Sequence, residues 1–210
     1  MISAAIFKKH ITKPLGERMR SLGFKGSGFN YLMDTEHFVF AFGIQASQYG
    51  GRCCAEYGIQ PKEVDTNGHN KIDFNKLKFA ECELRERLQK RATQWWTYSD
   101  SEDNNIRIAQ EIYDLFVFQA MPTISAFKMN PKILDSIQIN DLDNCHVNVR
   151  DKLKGIAPPF GAPRFAWVMM KYHEKKNLEK AIEFAKYRLA TLEPDSIFFA
   201  KPDFENILRH

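Results

Sequence analysis

The sequence predicts an α+β fold: an antiparallel sheet of three or more strands, packed by helices on one face and closed by a C-terminal helical hairpin. Three observations predict it. Residues 38–46 alternate Phe38, Phe40, Phe42, Ile44 and Ala46 with smaller or more polar residues, the period of a strand with one buried face. Near both ends the apolar residues recur every three or four positions, the period of an amphipathic helix. Between the strand-like runs stand short turns such as Tyr49-Gly50-Gly51, which make neighbouring strands pair as hairpins.

Taken in order, Ile6, Phe7, Ile11, Leu15, Met19 and Leu22 sit at helical spacing around Pro14, which reads as one kinked helix or two short ones. Gly23 is placed to cap it in the left-handed region, and GFKGSG leads into the sheet. Phe29, Tyr31 and Met33 alternate as a first strand, and 38–46 follow after the turn Asp34-Thr35-Glu36. The opposite face of that second strand carries Val39, Ala41, Gly43, Gln45 and Ser47, as expected of a central strand covered by helix on one side only. RCCAEYGI at 52–59 is its antiparallel partner, and a polar loop with a turn at Asn67-Gly68 comes next.

Residues 79–89 are compatible with helix or strand, whereas WWTYS at 95–99 has strand composition. Asp100, Ser101, Glu102 and Asp103 cap a helix bearing Ile106, Ala109, Ile112, Tyr113 and Phe116 on one face. INDLDNCHVNVRD reads as polar loop, and after GIAPPFGAP a helix over about 164–174 pairs with a second one capped by Asn177. In that second helix Leu178, Ala181, Ile182, Ala185, Leu189 and Leu192 form the stripe, until Pro194. Tyr172, Ala181 and Leu189 also fit a tetratricopeptide unit, but one unit builds no solenoid, so a plain hairpin is expected. The division is an α+β domain over 1–127 and a helical extension over 128–210, packed as one compact unit.

At 210 residues, with 44% hydrophobic and 27% charged, the chain is long enough to bury about 70% of its unfolded surface and needs no staples. A formal charge of +4 from 30 basic and 26 acidic residues, interspersed as in Glu81, Glu83, Arg85, Glu86, Arg87, Lys90 and Arg91, makes nucleic acid an unlikely partner. Lys8 and Lys9 interrupt the N-terminus before any signal-peptide core, and the longest apolar run, FAWVMM, falls far short of a span. No membrane partner is therefore expected. Cys53 and Cys54 are adjacent in a strand and face opposite ways, which speaks for free thiols and a cytoplasmic location.

Motifs that carry chemistry fail one by one. GFKGSG lacks the Lys-Ser/Thr pair of a phosphate loop and precedes a strand; Ser27 has Lys25 where a nucleophile elbow needs glycine. His10, His37, His69, His146, His173 and His210 are scattered, and Cys145-His146 is the one close Cys/His pair, so no metal, cofactor or catalytic residue is assigned. The richest polar cluster is Gln45, Ser47, Tyr49 and Arg52 at the hairpin end, joined by Arg85, Arg87, Trp95 and Trp96. Arg, Tyr and Trp dominate binding hot spots, so these eight are the candidate binding residues. Against that stands a purely structural use, with the arginines paired to Glu81, Glu83 and Glu86 and the indoles bracing the sheet. As neighbours in a strand, one indole is expected in the core and the other on the opposite face, near Arg85 and Arg87 if that segment folds back beside it.

Gly23-Phe24-Lys25, Gln45, Ser47, Tyr49-Gly50, Gly58-Ile59, Cys82, Leu84-Arg85, Arg87 and Trp95-Trp96 together resemble a bacterial family known as a domain of unknown function, DUF4304, over the first half to two thirds of the chain. The resemblance implies an α+β fold and a bacterial source, and transfers no activity. The functional expectation is thus a non-enzymatic module that binds another protein through its open sheet face or edge, as an immunity or accessory factor by analogy. The alternative is a small-molecule-binding or hydrolytic enzyme whose site is assembled from distant residues.

Overall fold

The computed structural model describes residues 3–67, 70–90, 95–191 and 200–209. Arg91, Leu192, Pro194 and the glycine of the Asn67-Gly68 turn, which the sequence reading used, lie outside them. The chain opens with α1 (Ala4–Ser21), whose Ser3 side chain accepts the N–H of Ala5 and whose Phe7, Ile11, Leu15 and Met19 are buried. This helix runs unbroken through Pro14 instead of splitting there. It ends as the Gly23 position requires: Gly23 adopts φ +90°, its N–H donates to the Arg20 carbonyl, and that of Phe24 reaches Met19.

The sheet is antiparallel throughout. Strands β1 (Lys25–Ser27), β2 (Asn30–Asp34), β3 (Phe38–Ala46) and β4 (Arg52–Pro61) follow as a meander. After a small separate hairpin of β5 (Thr66–Asn67) and β6 (Asn70–Lys71), β7 (Leu84–Arg87) and β8 (Trp96–Thr97) both pair with β4. The ambiguous 79–89 segment therefore divides into a 3₁₀ turn at Phe79–Glu81 and a strand. In the β3–β4 register Phe40 opposes Ile59, Phe42 opposes Tyr57 and Ile44 opposes Ala55. All six lie in the main core with α1, α2 (Glu102–Leu115) and α3 (Met121–Met129), which are joined by a π-helical turn at Phe116–Ala120. Phe116 packs edge-on against Phe24 and Tyr57 and tilted against Phe42, so it locks helix to sheet.

Two expectations need correction. The second sheet face is not left bare opposite the helices, because residues from the irregular 72–82 segment cover part of it. Leu77, Phe79 and Cys82 bury Val39 and Ala41 in a second small core. Gly43 and Gly58 permit this approach: a Cβ at Gly43 would strike the Phe79 ring, and one at Gly58 would stand 2.6 Å from the Cys82 Cβ. The polar segment at 139–151 is also not loop. It forms a 3₁₀ turn (Ile139–Asn144) and α4 (Cys145–Lys152), whose Leu142, Cys145 and Val149 reach the core, so burial overrides weak helix propensity.

The C-terminal hairpin is α5 (Gly161–His173) and α6 (Leu178–Ala190), with α7 (Lys201–Ile207) against α6. Asn177 caps α6 as expected, accepting from the Lys180 N–H, but the buried stripe is Ala181, Phe184, Ala185 and Arg188, while Leu178 is exposed. One apolar cluster runs from Phe7 to Ile207 and so includes both the sheet and these helices.

Phe40 is fully buried, and Phe40→Ala should lower unfolding free energy by about 3–5 kcal/mol in chemical denaturation. Gly58→Ala should cost about 1–3 kcal/mol by forcing Cys82 off the sheet. An unchanged midpoint for either variant would contradict this packing.

Candidate functional site

Strand β4 sets the geometry. Its odd positions enter the helix-side core, so Arg52, Cys54, Glu56, Gly58 and Gln60 take the opposite face. The register then lines up three rows across it: Ala41, Gly58 and Arg85; Gly43, Glu56 and Arg87; Gln45 with Cys54. The apolar cover ends at Gly43 and Gly58, and polar side chains take over.

Glu56 anchors this region. Only 6% exposed, its Oε1 accepts from Arg87 Nε at 2.9 Å and Nη2 at 2.6 Å, while Arg85 Nε stands 3.7 Å from Oε2. Burial works against the Arg87 charge, but the hydrogen bonds to Glu56 and the fields of Cys54 and Glu56 outweigh it and raise its pKa. Each guanidinium also meets an aromatic ring: Arg87 lies 5.7 Å from the Trp95 ring centre, and Arg85 lies 5.6 Å from that of Phe160. Trp95 is 41% exposed, whereas Trp96, paired with Cys53, is 1% exposed. The indole pair therefore divides between core and surface, and Trp96 drops out of the set of residues able to touch a partner.

The hairpin end adds the rest. Ser47 shapes the turn, accepting the Tyr49 N–H at its Oγ and the Gly50 N–H at its carbonyl. Tyr49 projects from the tip with 75% of its surface exposed, and Gln45 and Arg52 are exposed on the same face as Trp95. The structure thus places Gln45, Arg52, Arg85, Arg87 and Trp95 on one sheet face, with Arg87 and Trp95 in contact and Arg85 at the end away from Arg52, puts Tyr49 at the hairpin tip, and gives Ser47 a turn-forming role.

The structural pairing differs from the expected one. Glu56, which the sequence reading passed over, takes both arginines; Glu81 accepts the Lys78 N–H, Glu83 pairs with Arg164, and Glu86 pairs with Arg150. The signal was there in the period-two run Arg52, Cys54, Glu56, a polar stripe down one face of a strand. The thiols carry no activated nucleophile: all four cysteines are free and buried, burial pushes Cys53 and Cys145 up to about 12, and it raises Cys54 and Cys82 as well. Among the described residues no group of three His, Cys, Asp or Glu side chains could hold a metal ion, and no helix is long and apolar enough to cross a membrane.

A second feature was invisible in the sequence. A cavity of about 830 Å³ is lined by Lys132, Asp135, Tyr172, His173, Lys176 and Lys180, with His37 and Asn177 at its wall. His173 is 2% exposed, stacked on Phe184 and edge-on to Tyr172, and its Nε2 has no hydrogen-bond partner. Burial, then the Lys180 charge, hold its pKa down to about 4, with Lys176 adding to the effect and Asp135 opposing it.

The model of one protein family, Domain of unknown function (DUF4304), matches residues 15–126, which contain the sheet, both arginines and both indoles. No curated protein and no solved structure matches the chain.

Arg87→Ala should cost several kcal/mol, roughly 3–5, because it strands a buried carboxylate. Adding Glu56→Gln should restore part of that loss, so a double-mutant cycle without coupling would contradict the pairing. The unfolded imidazole of His173 takes its proton near pH 6.5 and the folded one only near pH 4. The native state binds fewer protons in that window, so stability should fall by up to about 3 kcal/mol as pH drops through it. His173→Gln should flatten that part of the stability profile.

Proposed function

This chain belongs to the DUF4304 family, and on that premise we propose that it is a non-enzymatic module that binds another protein through the exposed end of its second sheet face. One observation carries the reading: the buried Glu56 binds Arg87 and Arg85, and Trp95 lies against Arg87, on the sheet face that also exposes Arg52, Gln45 and, at its edge, Tyr49. A rigid aromatic and guanidinium cluster loses little side-chain entropy on association, which is what makes such residues hot spots. Three arginines against one carboxylate suit a partner segment that offers Asp or Glu side chains next to an apolar anchor. Four unpaired cysteines support a reducing compartment, the family resemblance supports a bacterial source, and a role as an immunity or accessory factor rests on analogy alone.

The second reading, a small-molecule-binding or hydrolytic enzyme, is supported in its binding half by the His173 cavity. Its hydrolytic half gains no support from the four buried thiols.

Photo-crosslinking in the native host tests the first reading. A crosslinking residue placed at Tyr49, Arg52 or Trp95 should trap the same protein, and one at the equally exposed Phe118 should not. Arg52→Glu should abolish the trapped product while leaving the unfolding midpoint unchanged. Equal trapping from Phe118, or none from the hairpin end, would sink the proposal.

A further inference from the structure

The cavity beside His173 lies in the part of the chain after residue 126, apart from His37, and so outside the span that the family describes. Its lining comes from three places: His37 between β2 and β3, the Asn130–Asp135 connection after α3, and the α5–α6 hairpin. A volume of about 830 Å³ is that of a small-molecule site.

The charges inside are unbalanced. Lys176 is paired with Glu63 and also lies 4.0 Å from the Tyr172 ring centre, so its charge already has a partner. Lys180 donates to the main-chain carbonyl of Asp135 at 2.6 Å, a bond that leaves its positive charge uncompensated by that acceptor. Lys132 stands exposed at the rim. Among the described residues Asp135 is the one carboxylate in the lining, set against three lysines and two histidines. The positive end of the 13-residue α6 adds to the same side through Asn177 and Lys180. Burial lowers Lys180 against the opposing fields of Asp135, Glu183 and Asp141, and burial together with the Lys180 charge lowers His173. The buried His173 Nε2 remains without a partner. Lysines without an arginine fork match the point-charge recognition of a phosphate better than the planar grip of a carboxylate. Tyr172 and Pro131 supply an apolar wall beside them.

We propose that this cavity binds a small organic phosphate, its phosphate group held by Lys132, Lys180 and His173 and its organic part set against Tyr172 and Pro131. The site is independent of the sheet-face recognition surface and deepens the small-molecule reading, so a failed titration and a failed crosslink overturn different claims.

Phenyl phosphate titrated into the full chain at constant ionic strength provides the test, followed by calorimetry and by the His173 ring signals in ¹H–¹⁵N spectra. Saturation at one molecule per chain is expected, with a dissociation constant below about 1 mM and a saturable shift of the His173 ring. Lys132→Glu, at an exposed position, should weaken binding about tenfold or more without moving the unfolding midpoint, and Lys180→Met should weaken it by a similar factor. Benzoate should bind more weakly than phenyl phosphate. Absence of saturable binding, equal affinity in the Lys132 and Lys180 variants, or a benzoate affinity that matches phenyl phosphate would each overturn the proposal.

Discussion

A carboxylate buried in the middle of a sheet must be neutralised where it stands, and Glu56 meets that demand through Arg85 and Arg87 on the neighbouring strand. The register of β4 with β7 follows the same need, since Glu56 opposes Arg87 directly and Arg85 opposes the next residue on that face, Gly58. Fixing those two guanidinium groups in turn fixes what lies on them: Trp95 on one side and Phe160 on the other. The surface proposed for recognition is therefore a consequence of how one buried charge is satisfied.

The same logic joins the C-terminal helices to the sheet. Glu83, 2% exposed just before β7, is bound by Arg164 of α5, which also stacks on Trp167 at 4.0 Å. Trp167 Nε1 in turn donates to Asp203 of α7 at 2.7 Å. Gln60 completes the arrangement, accepting the Glu83 N–H and donating to the Val64 carbonyl. Such fully bonded polar chains in low dielectric specify one arrangement of the elements more than they add net stability.

The sheet was legible because four large apolar residues at period two, Phe38 to Ile44, have one economical placement. The cover on its other face was not, because Leu77, Phe79 and Cys82 follow no period and act only through space left by two glycines. The division of Trp95 from Trp96 followed from strand alternation alone, whereas the approach of Trp95 to Arg87 required β7 and β8 both to pair with β4. Glu56 was missed since its partners lie about thirty residues away, and a long-range pair leaves no trace in local spacing. The His173 cavity was out of reach for the same reason, being assembled from segments near residues 37, 132 and 176.

The docking site proposed for another protein is the exposed end of the second sheet face. Amide hydrogen exchange of the chain, alone and with the crosslinked partner, tests it most directly. The account predicts added protection in residues 45–54 and 95–97, with little change in the π-helical turn at Phe116–Ala120. Protection confined to that turn or to the α5–α6 hairpin, with the β3–β4 hairpin end unaltered, would contradict it.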